Sequence, residues 1–274
     1  MRLWLTGARP RTLPAAIVPV LVGTGAAVGD GIVWWRAAAA ILVALSLQVG
    51  VNYANDYADG IRGTDGRERI GPVRLVGSGL ASPESVRRAA ITAFGIAAVV
   101  GLFLSLVVAP WLLLVGGLSI AAGWLYTSGP RPYGYAGFGE LSVFLFFGLV
   151  ATVGSTYIHS EQITGLALLG GSGVGLLACA LLGINNLRDQ AADALAGKMT
   201  LAVRLGDRRM RLLYACLVDG GLACASLCAL FRPWALLVLV SALLAYSPVR
   251  AVLGGSHGRA VSYTHLTLPT NREV

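Results

Sequence analysis

Eight apolar segments, separated by short polar connections, divide most of the chain. They cover about residues 12–29, 37–57, 89–109, 111–127, 138–158, 163–187, 212–231 and 233–253. Each segment is close to the roughly 20 apolar residues that an α-helix needs to cross a lipid bilayer. Apolar residues make up 56% of the 274 residues and charged residues only 12%, which is far from the balance of a soluble domain. The pattern predicts an all-α, multi-span transmembrane helical bundle.

Basic residues are distributed unevenly between the two ends of these segments. With the N-terminus inside, only Arg36 and Arg232 fall on the outer side, and the other nineteen of the 21 basic residues fall inside (21 minus 2). This asymmetry predicts a multi-pass protein of the cell membrane whose charged loops face the cytoplasm. The net charge of +8 follows from that topology, and we expect no binding of nucleic acid.

Two acidic stretches end the second and the sixth apolar segments. Their polar members are Asn52, Asn55, Asp56 and Asp59 in the first, and Asn185, Asn186, Asp189 and Asp193 in the second. In each stretch an Asn precedes the first Asp by four residues, so both side chains stack on one face if the helix continues. The same arrangement is used twice, 133 positions apart (185 minus 52).

Four carboxylates brought together need a cation. Two of them about 6 Å apart repel by roughly 3 kcal/mol at an effective dielectric near 20. Carboxylate oxygens suit Mg²⁺, which binds through one or two carboxylates plus substrate phosphates. The stretches therefore predict a site for a metal-bound phosphate. The alternative is that these acids are solvated helix ends at a membrane surface.

Three basic residues near the acidic stretches are candidates for diphosphate contacts. Arg74 lies in a long inner loop, residues 60–88, whose Gly and Pro content favours a folded lid. Arg131 lies in a Pro-rich inner loop, where anchoring to the inner membrane surface is the alternative. Lys198, the only lysine of the chain, follows the second acidic stretch, where a surface lysine explains the position nearly as well. Guanidinium forks match phosphate oxygens, and an ammonium acts as a point charge.

Other polar residues in the apolar segments receive structural interpretations. Glu140, at the start of the fifth segment, favours a role at the helix dipole or in lining the site. Asp219 lies inside the seventh segment, where an acid is a functional candidate. We interpret the cysteines as small packing residues. They are Cys179, Cys216, Cys224 and Cys228.

The combined motifs resemble those of the UbiA superfamily of intramembrane prenyltransferases. The stretches that carry the resemblance are Asn55-Asp56-Tyr-Ala-Asp59, Asn186-Leu-Arg188-Asp189-x3-Asp193 and Gly197-Lys198-x-Thr200-Leu-Ala-Val-Arg204-Leu-Gly206. Arg9-Pro-Arg-Thr-Leu-Pro and Gly71-Pro-x-Arg74-Leu-Val-x-Ser-Gly79 resemble, more narrowly, the branch of 1,4-dihydroxy-2-naphthoate prenyltransferases of menaquinone biosynthesis. The resemblance covers about residues 1–255, which we expect to form one transmembrane domain of two four-helix repeats. The family has a ninth span that we do not find, and we interpret residues 256–274 as a polar tail that is non-native or disordered.

The resemblance implies a Mg²⁺-dependent reaction. A polyprenyl group would pass from polyprenyl diphosphate to 1,4-dihydroxy-2-naphthoate with loss of carbon dioxide, giving demethylmenaquinol. Many members have a further Asp where this chain has Gly63, and that role is carried to Asp65. The implied metal ligands are Asp56, Asp59, Asp65, Asp189 and Asp193, of which all but Asp65 are also implied to be catalytic. The implied diphosphate-binding set is Arg74, Arg131 and Lys198, with Asn52, Asn55, Asn185 and Asn186 orienting carboxylates or metal-bound waters.

Three alternatives stay open at the level of sequence. The first is prenyl transfer to another aromatic acceptor. The second is a CDP-alcohol phosphotransferase, whose signature begins like Asp56-x2-Asp59-Gly60, although the rest of that signature is absent. The third is an ion-coupled transporter, which predicts acids near the middle of the membrane.

Overall fold

The computed structural model describes residues 2–64 and 73–256. Within these ranges the chain is helical without strands. The apolar helices are α1 (Pro14–Ala26), α2 (Trp34–Arg62), α3 (Pro83–Val107), α4 (Leu112–Leu125), α5 (Gly139–Ser160), α6 (Gly165–Leu195), α7 (Asp207–Leu230) and α8 (Pro233–Leu253). Short helical segments at Arg2–Ala8, Pro10–Thr12, Tyr133–Ala136 and Leu201–Leu205 lie in the connections.

Each of the eight predicted segments overlaps one of these helices, which confirms the prediction of an all-α, multi-span bundle. Six helices are long and apolar enough to cross a membrane, and α1 and α4 are shorter apolar helices. The relation of the two halves as repeats, and the domain boundary near residue 255, stay predictions.

Helices α2 and α6 are longer than the apolar segments that predicted them, because both continue through the acidic stretches. α2 ends where Gly63 adopts a left-handed conformation with φ of 68°, which glycine takes without steric cost.

α3 begins at the cap that the sequence indicates, because the Ser82 hydroxyl accepts a hydrogen bond of 3.3 Å from the Ser85 amide and Pro83 occupies the first turn.

Two apolar clusters hold the two halves of the bundle. One joins α2, α3 and the segment after residue 72, and it consists of Tyr53, Ala54, Leu75, Val86, Ala90 and Phe94. The other joins α6, α7 and α8, and it consists of Ala180, Ile184, Leu187, Ala202, Met210, Tyr214, Val218 and Val252. Helices α1 and α5 pack against each other and against α6, between these halves.

Glycines allow the closest of these helix contacts, where α5 crosses α6. The α5 segment Phe144–Val150 is π-helical. A Cβ atom added to Gly148 in that segment would lie 2.6 Å from the Gly175 Cα of α6 and 2.7 Å from the Gly171 carbonyl oxygen. Two backbones therefore meet here, and no side chain fits between them.

Candidate active site

The two acidic stretches form the last turns of α2 and α6. Asp59 lies three residues before the end of α2 at Arg62, and Asp193 lies two residues before the end of α6 at Leu195. The acids of the first stretch are buried, with residue exposures of 0% for Asp56 and 3% for Asp59. In the second stretch Asp189 and Asp193 are partly exposed.

Asp59 is the centre of the polar cluster, because it contacts groups from three other parts of the chain. Its Oδ2 lies 3.1 Å from the Arg74 guanidinium, and its Oδ1 lies 2.8 Å from Lys198 Nζ. The Tyr135 hydroxyl also donates to Oδ1. The buried carboxylate is thereby compensated by two positive charges and one neutral donor.

Lys198 connects the two acidic stretches. Its backbone amide donates to the Asp193 carbonyl oxygen at 2.8 Å, while its ammonium contacts Asp59 on α2. The same ammonium lies 4.7 Å from the centroid of the Tyr135 ring, within the range of a cation–π interaction. The ends of α2 and α6 therefore meet at one end of the bundle, around Lys198 and Tyr135.

The acids of the second stretch have partners of their own. Arg188 binds Asp189 through two hydrogen bonds of 2.7 and 2.6 Å, and it donates to the Asn185 side-chain oxygen at 3.1 Å. The Asn186 amide donates to Glu140 Oε1 at 2.9 Å. Glu140 is therefore hydrogen-bonded to the second stretch, and its role at the helix dipole or in lining the site stays a prediction.

Asp56 makes contacts of a different kind, with backbone instead of side chains. Its Oδ2 accepts the Leu75 amide at 2.8 Å, and its Oδ1 accepts the Val76 amide at 3.0 Å.

The asparagines of the first stretch hold neighbouring segments. Asn52 donates to the Ala8 carbonyl oxygen at 2.9 Å and to the Thr12 hydroxyl at 3.1 Å, which ties the N-terminal segment to α2. The Asn55 side-chain oxygen accepts a hydrogen bond of 2.6 Å from Thr127.

Two other candidates lie elsewhere. Arg131 is exposed, and it forms no ion pair with an acidic side chain within the described residues. Asp219 is an exposed residue of α7. Asp65, an expected metal ligand, lies outside the described residues, as do residues 257–274 of the expected tail.

Two tyrosines at the site stay protonated over a wide pH range. Burial, followed by the negative charge of Asp59, raises the pKa of Tyr135 above its ordinary value of 10. Burial, followed by the charge of Glu140, raises the pKa of Tyr126 in the same direction. Both phenols are therefore hydrogen-bond donors at neutral pH.

An apolar cavity of about 520 Å³ begins next to this polar cluster. The end where α2 reaches the acidic stretch is lined by Gln48, Asn52, Asn55, Tyr126 and Tyr133, and serines such as Ser105 and Ser155 line the cavity near the ends of α3 and α5. Along α2 the lining extends from Asn55 back to Ala40, a distance of roughly 22 Å at 1.5 Å per residue. The arrangement suits a ligand with one highly charged end and a long apolar tail.

Several residues of the site were missed by sequence reasoning. Tyr135 and Arg188 contact the acids directly, and Thr127 holds Asn55. A signal for Tyr135 existed, since two tyrosines, Tyr133 and Tyr135, follow the rigid inner loop that contains Arg131. The partner of Asp189 is Arg188, its neighbour in sequence. Helical spacing predicts contacts between residues three or four apart and therefore does not indicate this pair.

Within the described residues, no three acidic, histidine or cysteine side chains stand in a group that could share one metal ion. Arg74, Lys198 and Arg188 each occupy a carboxylate oxygen of Asp59 or Asp189.

Comparison with known proteins places the chain in one family. The UbiA prenyltransferase family matches residues 16–260. The 1,4-dihydroxy-2-naphthoate octaprenyltransferase of Mycobacterium tuberculosis is 52% identical over 257 residues, which cover 93% of this chain and 88% of the relative. The enzyme of the same name from Escherichia coli is 40% identical over 266 residues, covering 91% of this chain and 84% of the relative.

Solved structures share the fold. A UbiA homologue from Archaeoglobus fulgidus bound to DMAPP and Mg²⁺ superposes with a TM-score of 0.68 at 14% identity, over 98% of this chain and 91% of the other. The apo structure of a UbiA homologue from Aeropyrum pernix gives a TM-score of 0.72 at 17% identity, over 97% of this chain and 94% of the other. On this match of sequence and fold, the chain belongs to the UbiA prenyltransferase family.

Proposed function

We propose that this protein transfers a polyprenyl group from polyprenyl diphosphate to 1,4-dihydroxy-2-naphthoate, with decarboxylation to demethylmenaquinol. The observation that carries the proposal is the contact between Lys198 and Asp59, which joins the two acidic stretches beside the polar end of the long apolar cavity. Relatives that are 40–52% identical over more than nine tenths of this chain carry the corresponding activity in their names.

The shape of the site matches an amphiphilic donor. A diphosphate needs positive charge and hydrogen-bond donors, and Lys198, Arg74 and Tyr135 supply them at one end. An isoprenoid tail needs an apolar environment, which the cavity along α2 supplies. The donor lies with its reacting carbon between these two regions.

The donor set fits Mg²⁺, because its ligands are hard carboxylate oxygens at adjacent helix ends. Asp59, Asp189 and Asp193 would hold metal, and Asp65 is expected to join them from outside the described residues. The side chains that now contact Asp59 and Asp189 are flexible Arg and Lys ends, which can move from carboxylate to phosphate oxygens. When bound, Mg²⁺ neutralises charge on the departing diphosphate.

The residues of the chain then determine the course of the reaction. Lys198 and Arg74 stabilise the diphosphate as the allylic C–O bond breaks and the electron pair leaves with the oxygen. The rings of Tyr126 and Tyr133 line the junction with the cavity, where aromatic faces stabilise the allylic cation. The naphthoate ring attacks this cation, and its carboxyl group leaves as carbon dioxide.

The site faces the cytoplasm in this proposal. The acids lie at the ends of α2 and α6 where the basic loops are concentrated, and the positive-inside rule assigns such loops to the cytoplasmic side. An ion-coupled transporter needs acids near the middle of the membrane, and nothing in the position of Asp59 or Asp193 favours it.

The test uses purified protein with Mg²⁺, a radiolabelled polyprenyl diphosphate and a panel of aromatic acceptors that includes 1,4-dihydroxy-2-naphthoate. We expect a lipid-soluble naphthoquinol from the wild type, identified by mass spectrometry, and much less product from Asp59→Asn or Asp189→Asn at the Mg²⁺ concentration that is half-saturating for the wild type. Asp30→Asn is the matched control, since Asp30 is an exposed acid between α1 and α2, at the other end of α2. Full activity in Asp59→Asn and Asp189→Asn refutes the assignment of these two residues as metal ligands. A higher activity with another acceptor refutes 1,4-dihydroxy-2-naphthoate as the substrate.

A further inference from the structure

We propose that Asp56 is a positioning residue that fixes the segment bearing Arg74 against α2, and that it does not bind metal. The inference rests on the function proposed above and concerns how the diphosphate-binding side of that site is built. It divides the acidic motif of α2 into one structural carboxylate, Asp56, and one carboxylate that meets the ligand, Asp59.

The contacts of Asp56 use both of its oxygens. Oδ2 accepts the Leu75 amide at 2.8 Å and Oδ1 accepts the Val76 amide at 3.0 Å. Consecutive backbone N–H groups that point toward one anion form a concave anion-binding nest. Here the anion is supplied by the protein itself, and the side chain of Asp56 is 0% exposed.

The nest is held in place by the turn that follows it. The Gly79 amide donates to the Val76 carbonyl oxygen at 2.9 Å, and the Ala81 amide donates to the Leu75 carbonyl oxygen at 3.0 Å. Leu75 is fully buried in the cluster with Tyr53. These hydrogen bonds fix the positions of the two backbone amides that donate to Asp56.

The segment also lies very close to α2. A Cβ atom added to Gly60 would be 2.3 Å from Val76 Cγ1, so Val76 rests on the helix backbone one residue after Asp59. Because Arg74 directly precedes Leu75, its side chain lies against α2 close to Asp56 and Asp59. Its guanidinium lies 3.1 Å from Asp59 Oδ2, with 8% of the side chain exposed.

Asp56 and Asp59 therefore differ in what a metal ion would have to displace. At Asp59 the displaced groups are the ends of Arg, Lys and Tyr side chains, which can rotate away. At Asp56 they are two backbone amides, which can leave only if the turn opens. Retaining Asp56 in its nest keeps Arg74 in place for the diphosphate.

The test compares Asp56→Asn, Asp56→Glu and Asp59→Asn in purified protein, with Asp30→Asn as control. The first measurement is amide hydrogen exchange of residues 73–79 in protein free of metal and substrate. The second is the Mg²⁺ concentration that gives half-maximal prenyl transfer. In Asn an NH₂ donor replaces one of the two carboxylate oxygens and cannot accept from the amide that faces it, whereas Glu keeps two acceptor oxygens and reports on the site if the Asn variant fails to fold.

We expect exchange at residues 75 and 76 to be about tenfold faster or more in Asp56→Asn, because hydrogen bonds to a charged group are lost. The Mg²⁺ concentration that Asp56→Asn needs for half-maximal activity stays as in the wild type. Asp56→Glu needs the same Mg²⁺ concentration, and its amides at residues 75 and 76 stay better protected from exchange than those of Asp56→Asn. Asp59→Asn shows the opposite pattern, with protection retained and about tenfold more Mg²⁺ required.

A Mg²⁺ requirement in Asp56→Asn or Asp56→Glu raised as far as in Asp59→Asn overturns the proposal. So does unchanged exchange at residues 75 and 76 in Asp56→Asn, or deprotection of these amides when Mg²⁺ and donor bind the wild type. Exchange in the ligand-free protein does not depend on the acceptor. Failure of the wild type to make a naphthoquinol would therefore refute the proposed function while exchange still decides whether Asp56 holds the nest.

Discussion

The negative charge of Asp59 is compensated by two cations, which lie at very different separations from it along the sequence. Arg74 is fifteen residues away and Lys198 is 139 residues away. Removing both cations would lower the free energy of unfolding strongly, since an uncompensated buried charge costs about 3–5 kcal/mol. With one cation left, the fold persists and the effect appears in catalysis.

Replacing Lys198 with Met removes the ammonium and keeps much of the apolar stem. We expect kcat/KM for the polyprenyl diphosphate to fall about 10–100-fold, because a hydrogen bond to a charged group contributes about 1.5–3 kcal/mol. The measurement is steady-state kinetics with varied donor. The matched control is Arg232→Met, which removes a cation from the outer end, where Arg232 contacts the Val28 carbonyl oxygen. An unchanged kcat/KM in Lys198→Met would remove this lysine from the site.

The residues of the site were only partly predictable. Asp59, Lys198 and Arg74 could be named as candidates because they lie in or near the two acidic stretches, although a surface lysine explained the position of Lys198 nearly as well. The burial of Asp56 under two backbone amides could not be predicted, because it depends on how the segment after residue 72 folds back over α2. Tyr135 is one of nine tyrosines, and only its position against Asp59 distinguishes it.

At the scale of the element, the sequence predicts the helices better than it predicts their ends. Apolar periodicity stops at the acidic stretches, but α2 and α6 continue through them, since backbone hydrogen bonding does not depend on side-chain polarity. The crossing of α5 over α6 was not predictable, because it depends on which glycines of two helices face each other. Gly148 and Gly175 meet with backbones almost in contact.

This crossing predicts a difference between two alanine substitutions in α5. A Cβ at Gly148 would lie 2.6 Å from backbone, whereas a Cβ at Gly154 has nothing within 4 Å. We expect Gly148→Ala to destabilise the protein by about 1–3 kcal/mol through overpacking, and Gly154→Ala to leave stability nearly unchanged. Thermal unfolding in detergent, with size-exclusion profiles, measures the difference. Equal melting temperatures for the two variants would contradict this packing.

At the scale of the molecule, the cavity sets which donors the bundle accepts. Glycines of α3 and α4, including Gly101, Gly116 and Gly117, line it with open space where a Cβ would be. The sequence predicts an amphiphilic substrate, but it gives no cavity depth, because depth depends on how the six helices that line the cavity diverge.

Filling the cavity therefore selects against long donors. We expect Gly116→Phe to lower kcat/KM for a long polyprenyl diphosphate more than for a short one, by about tenfold, because a buried tail segment loses its apolar contacts. Gly95→Phe is the control, since Gly95 has nothing within 4 Å of a Cβ and does not line the cavity. Activities with donors of several lengths give the ratio. An equal loss for all lengths would place the tail elsewhere.

The two partners of Asp59 also differ in when the ribosome makes them. At about 5–20 residues per second, Lys198 follows Asp59 by roughly 7–28 seconds, whereas Arg74 follows within about 3 seconds. During that interval Arg74 is the only one of these two cations that can pair with Asp59. Arg74, held by its own turn, is the neutralising charge available to Asp59 while only the first half of the chain has been made, and Lys198 completes the pair after the second half follows.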